Sequence, residues 1–269
     1  MEPKVSVIMG IYNCANTLEE AIDSLKFQTY QNFEVIMCDD GSKDNTAEIA
    51  QRYVDLEPQR FVLLKNEKNL GLNKTLNRCL EIAKGEYIAR MDGDDVSLPE
   101  RFEKEVQALE EHPEFAVVST PMMYFDENGV WKTGKAIEFP QKKDFIKHSP
   151  FFCHAPCMIR KNVFLEVGGY SEDNRTLRFE DCHLWYKIYA EGYKGFNLME
   201  PLYMMRDDHN AFKRRTFSSR LNASYVKYVG FKMNHMPWYT YIYVVQSFLK
   251  NLILGIIPRG VYMYLHRRK

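Results

Sequence analysis

The sequence lacks several features that would assign it to a class at once. None of its 6 cysteines forms a Cys-x-x-Cys pair, and Cys38 and Cys79 lie within apolar runs. Reduced, mostly buried thiols in a cytosolic chain are therefore expected. Cys153-His154-x-x-Cys157 lacks a fourth ligand at finger-like spacing. Gly10-Ile11-Tyr12-Asn13, after the first apolar run, is not the glycine- and lysine-rich phosphate loop that a nucleotidyltransferase usually needs there, which counts against that class. Repeats and low-complexity linkers are absent. The N-terminus is charged and runs directly into a strand, so no secretion signal is expected.

The chain has 269 residues, 45% hydrophobic and 27% charged. That is enough for one buried α/β domain and an appended segment. The formal net charge is +0, but it is unevenly distributed. From Arg206 onward there are 12 Lys or Arg and only two acids, Asp207 and Asp208. A tail this basic suggests a second job, facing something anionic.

Val5–Met9 reads as a strand, followed by a helix with Thr17 and Glu20 at capping-box spacing and an apolar stripe of Leu18, Ala21, Ile22 and Leu25. Phe33–Cys38 and Phe61–Lys65 read as strands on either side of a helical stretch reaching about Val54. The spacing of Leu72, Leu76, Leu80 and Ala83 predicts a helix ended by Gly85, before a strand at Glu86–Met91. A helix from near Pro99 to about Glu111 and a strand at Ala116–Ser119 follow, and Arg178–Ala190 reads as a further helix. Alternating strands and helices predict an α/β fold with a mostly parallel sheet. Ligands bind such sheets beyond the carboxyl ends of the strands.

Two acidic clusters fall at that edge. Asp92, Asp94 and Asp95 follow one strand; carboxylates this close repel unless a cation compensates them. Hard oxygen ligands suit Mg²⁺ or Mn²⁺ bridging to substrate phosphates, while a structural loop is the alternative. Asp39-Asp40-Gly41-Ser42 follows another strand, as a helix-capping turn with Ser42 at the N-cap or as a carboxylate pair for a nucleobase N–H.

Val5-Ser-Val-Ile…Tyr12-Asn13, Asp39-Asp40-Gly41-Ser42, Asn69-Leu-Gly71…Gly85-Glu-Tyr-Ile…Asp92-Gly-Asp-Asp95 and Glu180-Asp181-x-x-Leu184-Trp185 occur in this order. Together they resemble the family 2 glycosyltransferases of the GT-A fold, of the type that builds bacterial surface polysaccharides. The likeness covers roughly residues 4–210. It implies a Rossmann-like catalytic domain over 1–210, with a nucleotide-binding half at about 1–98 and an acceptor half at about 99–210. It further implies inverting, metal-dependent transfer of a hexosyl or N-acetylhexosaminyl group from a UDP-sugar to a hydroxyl of a glycan or lipid-linked acceptor, with Mn²⁺ or Mg²⁺ as cofactor.

By the same resemblance, Asp40, with Asp39, contacts uracil in a pocket lined by Tyr12. Asp92 faces the ribose or phosphate, and Asp94 ligates the metal. Asp181 is the general base. Glu180, expected to point elsewhere on its helix, ranks second as base and is placed with the acceptor. His154 matches a histidine near the acceptor, with a structural histidine as the alternative. Trp185, one turn after Asp181, is either the floor of an acceptor site or core. His209 corresponds to a histidine that serves the metal or diphosphate, and Lys213, Arg214 and Arg215 either close over the diphosphate or form a basic surface. Many relatives carry an acid where this chain has His183, which puts acceptor contacts in doubt but not the base.

Residues 211–269 form a basic, aromatic helical extension. Trp238–Ile257 is long enough to span a bilayer, yet Gln246, Lys250 and Asn251 share one helical face, which fits a helix lying in the interface. Pro258 and Gly260 break it, and the cluster His266-Arg-Arg-Lys269 suits anionic head groups. The expectation is a cytoplasmic protein held peripherally at the inner face of the membrane, with a helix packed on the catalytic domain as the alternative. A basic membrane- or nucleic-acid-binding module is the non-enzymatic alternative. The acidic first 205 residues would repel a polyanion, so no nucleic-acid partner is expected.

Overall fold

The computed structural model describes residues 2–147, 151–207 and 217–256. His209, Lys213, Arg214, Arg215 and the segment from Pro258 to Lys269 lie outside them.

Strands β1 (Val5–Ile11), β2 (Phe33–Asp39), β3 (Phe61–Lys65) and β4 (Tyr87–Arg90) alternate with helices α1 (Leu18–Lys26), α2 (Thr46–Leu56) and α3 (Leu72–Ile82). There follow β5 (Val96–Ser97), α4 (Arg101–Glu111), β6 (Val117–Ser119) and the hairpin β7 (Met122–Asp126) and β8 (Gly129–Thr133). The catalytic-size unit then continues through β9 (Met158–Arg160), α5 (Lys161–Glu166), α6 (Glu180–Ala190), β10 (Gly195–Asn197) and β11 (Tyr203–Arg206). Helices α7 (Phe217–Met233) and α8 (Ile242–Ile256) make up the extension. The main sheet has seven strands in the order β10-β6-β9-β4-β1-β2-β3, with only β9 antiparallel to its neighbours. A second sheet, β5-β11-β7-β8, starts two residues after Asp94.

Both faces of the main sheet are covered, as a parallel sheet requires. Val5, Val7, Met9 and Ile11 turn one way, onto Leu18, Ile22 and Leu25 of α1 and Phe102 and Leu109 of α4. Ile8, Ile36, Cys38 and Ile88 turn the other way, onto Leu76 and Leu80 of α3 and Leu184 and Trp185 of α6. Each fully buried aliphatic side chain contributes about 1.5–3 kcal/mol. The six cysteines are all free, as expected.

Several local expectations are corrected. Thr17 stands at the N-cap of α1 but forms no capping box with Glu20. Its hydroxyl instead donates to the carbonyls of Cys14 (3.2 Å) and Gly93 (2.9 Å), tying the helix start to the acidic loop. Ser42 is not a helix N-cap, because α2 begins only at Thr46; the Ser42 hydroxyl accepts the Asn13 N–H at 3.0 Å. Gly85 does not end α3, whose C-cap is Ala83. It is required by close approach, since a Cβ there would lie 2.5 Å from the Ser6 nitrogen. Helix α6 starts at Glu180 and not at Arg178, which is held at φ 70° and cannot begin a right-handed helix.

The extension divides into two parts. Helix α7 packs on α6 so closely that a Cβ at Gly230 would meet the Tyr186 ring at 2.2 Å. Asn234 also donates to the Tyr186 carbonyl at 2.9 Å. Helix α8 packs back on α7, where Asn251 donates to the Ser224 hydroxyl at 3.0 Å. Trp238–Ile257 is therefore not one helix: Trp238–Tyr241 forms a tight turn after Pro237, and α8 starts after it. Among the described residues, no helix is long and apolar enough to cross a membrane.

Candidate active site

The carboxyl ends of β1, β2 and β4 place the acidic loops on one rim. Asp39 is buried, and its two oxygens share the Ser42 N–H at 3.3 Å each. Asp40 is more fully engaged. One oxygen accepts the Asn66 amide (2.8 Å) and the Leu70 N–H (2.7 Å), and the other accepts the Gly71 N–H (2.9 Å). Asp40 thus pins the 69–71 loop in place as a wall. Tyr12, at the end of β1, is 46% exposed.

The wall bounds a cleft of about 710 Å³, whose lining includes Gly10, Tyr12, Asp40, Gly71, Asn73 and Glu180, with Ser219 and Asn222 from the start of α7. An equally large hollow lies at the amino ends of the strands, beside Lys4 and Arg160. There Lys4 is paired with Glu86 and Glu110, and Arg160 donates to the Phe115 and Leu109 carbonyls. Those cations already have partners, so the carboxyl-edge cleft is the candidate site.

Asp92, Asp94 and Asp95 present carboxylate oxygens within 4.8 Å of one another. Asp95 is buried; one oxygen accepts the Arg206 N–H at 2.8 Å, and the other has no hydrogen-bond partner. Burial, with Asp92 and Asp94 alongside, pushes the Asp95 carboxyl well above the usual range. Crowded carboxylates with an orphaned buried oxygen are what a hard divalent cation would satisfy. The donor set fits Mg²⁺ or Mn²⁺. Arg206 closes the loop from the other side, donating through Nε to the Asp94 carbonyl at 3.0 Å and pairing with Glu20.

Arg90 was not singled out by the sequence patterns. It is 5% exposed at the end of β4 and forms a two-pronged pair with Asp92, one prong at 2.8 Å. The available signal was an arginine inside the otherwise apolar strand Tyr-Ile-Ala-Arg, directly before the acidic loop. A buried guanidinium needs a carboxylate, and Asp92 supplies it. The charge of Arg90 also reaches His154, Glu180 and Asp181. The Arg90 charge therefore acts on both the acidic loop, which it pairs with, and the start of α6, which it reaches only through space.

At that start, Asp181 is half-buried, and one of its oxygens accepts the N–H of Cys182 at 2.7 Å. Burial raises its carboxyl above the ordinary value, while that hydrogen bond and Arg90 pull it down. Glu180 does not point away: it lines the cleft, and one carboxylate oxygen is buried with no partner. Burial and then the neighbouring Asp181 raise it too. The expectation that Glu180 faces elsewhere is corrected, because the helix begins at this residue and its side chain leaves from the first turn.

His154 is half-buried; its Nε2 lies 2.7 Å from the Tyr170 hydroxyl and its ring 6.2 Å from Trp185, edge-on. Burial and Arg90 hold the imidazole neutral. Trp185 is 1% exposed and packs on Phe152 at 5.2 Å. It is core and not the floor of an acceptor site, since its helical turn faces the sheet. His183 is likewise held neutral, its value lowered by burial to about 4. His209 lies outside the described residues.

Residues 6–168 match the family model described as Glycosyl transferase family 2, so the chain belongs to that family and is a glycosyltransferase. Among its relatives is a Bacillus subtilis (strain 168) protein named for glycosyl transfer, EpsE, 42% identical over 99% of this chain and 94% of its own length. Another is the Escherichia coli UDP-Glc:alpha-D-GlcNAc-diphosphoundecaprenol beta-1,3-glucosyltransferase WfaP, 28% identical over 92% of this chain and 95% of its own. Among solved structures, S. aureus TarS 1-349 in complex with UDP-GlcNAc superimposes with a TM-score of 0.72. It is 21% identical, covering 92% of this chain and 72% of that one. At that identity the likeness shows the fold, which is the expected GT-A arrangement.

Proposed function

We propose that this enzyme transfers a sugar, with inversion, from a UDP-sugar to a hydroxyl of a lipid-linked glycan in surface-polysaccharide synthesis. The observation that carries the reading is the meeting of the Asp92–Asp95 loop with the Glu180-Asp181 helix start across Arg90. A leaving-group site and a basic site then both border the carboxyl-edge cleft, which Asp40 and Glu180 line directly. The UDP donor and the diphosphate-lipid acceptor in the names of TarS and WfaP support the substrate classes.

Asp181 takes the proton of the acceptor hydroxyl as that oxygen bonds to the anomeric carbon and the bond to the diphosphate oxygen breaks. Burial raises its proton affinity, which suits a general base. Asp94 and Asp95 would hold Mn²⁺ or Mg²⁺, which offsets the charge gained by the leaving diphosphate. Asp92, fixed by Arg90, faces the ribose or phosphate. Asp39 receives only one N–H and keeps acceptor capacity for the uracil N–H, while Asp40 holds the pocket wall and Tyr12 flanks the base. Incubation with a set of nucleotide sugars tests this directly. A UDP-sugar is expected to be hydrolysed slowly, with loss on chelation and recovery with Mn²⁺. Hydrolysis that survives chelation, or that is confined to GDP- or dTDP-sugars, contradicts it.

A second reading of the base rests on Glu180, which lines the cleft and has one buried, unpartnered oxygen. Asp181 and Glu180 are separated by isosteric substitution, as described in the Discussion.

The extension fits a membrane surface. Along α8 and the turn before it, Trp238, Tyr239, Ile242, Val245, Leu249 and Ile253 are each at least half exposed. They recur at helical spacing on one apolar stripe, while Asn251 and Ser247 face α7. With the basic residues of this region, the stripe suits an anionic bilayer. Truncation after Asn234 is expected to abolish co-sedimentation with anionic vesicles; unchanged sedimentation contradicts the assignment.

A further inference from the structure

No indole is exposed at Trp185, where an acceptor floor was expected, but one is exposed on the second sheet. Trp131, on edge strand β8, is 44% exposed. Its ring lies 5.7 Å from that of Tyr124 on β7, and the Lys132 ammonium lies 5.7 Å from the same Tyr124 ring. Tyr124 itself packs against the core beside Cys153.

The strand register places this pair close to the chemistry. Arg206, which holds the Asp94-Asp95 loop, pairs with Phe125, and Phe125 pairs with Val130, next to Trp131. Adjacent strands are about 4.8 Å apart, so the Trp131 backbone lies roughly 10 Å from that of Arg206. From the other side, Tyr124 is within electrostatic reach of Cys153, and Cys153 within that of Asp181. The indole thus sits on the same side of the fold as the Arg206-held acidic loop.

We propose that Trp131 and Tyr124 form the ledge that binds the acceptor saccharide, by stacking against the apolar C–H face of a pyranose ring. An indole buries that face while leaving the hydroxyls hydrated at its rim. Lys132 stands beside the ring to meet hydroxyl or carboxylate groups of the glycan. Pairing of the β8 edge with another protein strand is a poorer use of this surface. The register shifts between Tyr124 and Phe125, and the strand has only 5 residues with a lysine among them, features that blunt an edge.

This inference rests on the glycosyl-transfer reading above, and the test separates the two. Wild type, Trp131→Ala and Trp131→Phe are incubated with the UDP-sugar that wild type hydrolyses and with membranes of the producing organism as acceptor source. Sugar transferred to the membranes and sugar released to water are both counted. Trp131→Ala is expected to lower the ratio of transfer to hydrolysis about tenfold, with hydrolysis and UDP-induced thermal stabilisation unchanged, and Trp131→Phe to restore most of it. An unchanged ratio, an equal fall in transfer and hydrolysis, or a change of oligomeric state in Trp131→Ala overturns the ledge. Absence of any donor hydrolysis by wild type overturns the glycosyl-transfer reading itself.

Discussion

The two groups of carboxylates at the carboxyl edge are held differently. After β2 and β4, carboxylates are held by the backbone of other loops and strands or of their own turn: Asp40 by Leu70 and Gly71, Asp39 by Ser42, and Asp95 by Arg206. At the start of α6, Asp181 accepts an N–H from its own neighbour, and one Glu180 oxygen has no partner. A carboxylate held by several N–H groups, as Asp40 is, is fixed in place and shapes a pocket. Buried carboxylates with fewer partners have raised proton affinity, as Asp95, Glu180 and Asp181 do. On the proposed function, Asp95 gives that up to a cation, and proton transfer belongs to the start of α6.

The largest effect that would break this comparison is expected at Arg90. Arg90→Met removes the partner of Asp92 and leaves a partly buried carboxylate facing Asp94 and Asp95. A loss of about 3–5 kcal/mol is expected from urea unfolding, and divalent cation should recover part of it. A variant as stable as wild type would show that the Arg90–Asp92 pair does not hold the acidic loop.

A smaller effect concerns pH. The folded Asp181 carboxyl is raised, so it is protonated at a higher pH than an ordinary aspartate. The base must be ionised to accept a proton. The acid limb of kcat for transfer should therefore lie above the ordinary carboxylate range, with activity lost as pH falls through it. For stability the sign is opposite: a raised folded pKa favours folding below the unfolded value, and that contribution disappears as pH rises through the folded value. Asp181→Asn should abolish that component of the stability profile, which thermal melts across pH will show.

The smallest effect is at Thr17, whose hydroxyl ties α1 to the Gly93 carbonyl. Thr17→Val keeps the volume and removes the bond. A loss of about 1 kcal/mol is expected, with a raised KM for the donor and little change in acceptor use. An unchanged donor KM would separate the helix start from the acidic loop.

The acidic rim after β2 and β4 was legible in the sequence because its parts are local. Each acidic pair directly follows an apolar strand, and a parallel sheet must bring those ends to one rim. The expected strand Phe61–Lys65 matches β3, and α2, α3 and α4 fall within a few residues of their expected ranges. What failed there were side-chain details set by distant groups. Thr17 and Ser42 have the chemistry of helix caps, but Gly93 and Asn13 offered them partners from other loops. Gly85 looked like a helix stop, yet its reason is the Ser6 backbone, 79 residues away in sequence.

The region around α6 was legible only through the motif order, because its contacts are long-range. Nothing near Trp185 in sequence shows that Phe152 will cover it, and nothing near Trp131 shows that it will remain exposed. The turn of Glu180 into the cleft depends on the helix starting after the left-handed Arg178, a single backbone choice that helical periodicity does not register. In the extension, Gln246, Lys250 and Asn251 were expected to share one face, but Gln246 and Lys250 are exposed while Asn251 turns onto α7.

The most direct test of the account compares Asp181→Asn with Glu180→Gln in steady-state transfer, with UDP affinity measured calorimetrically for both. Asp181→Asn is expected to lower kcat by about a hundred- to ten-thousandfold with UDP affinity unchanged, while Glu180→Gln chiefly raises the acceptor KM. Near-normal turnover by Asp181→Asn, with the collapse of kcat in Glu180→Gln instead, would contradict it.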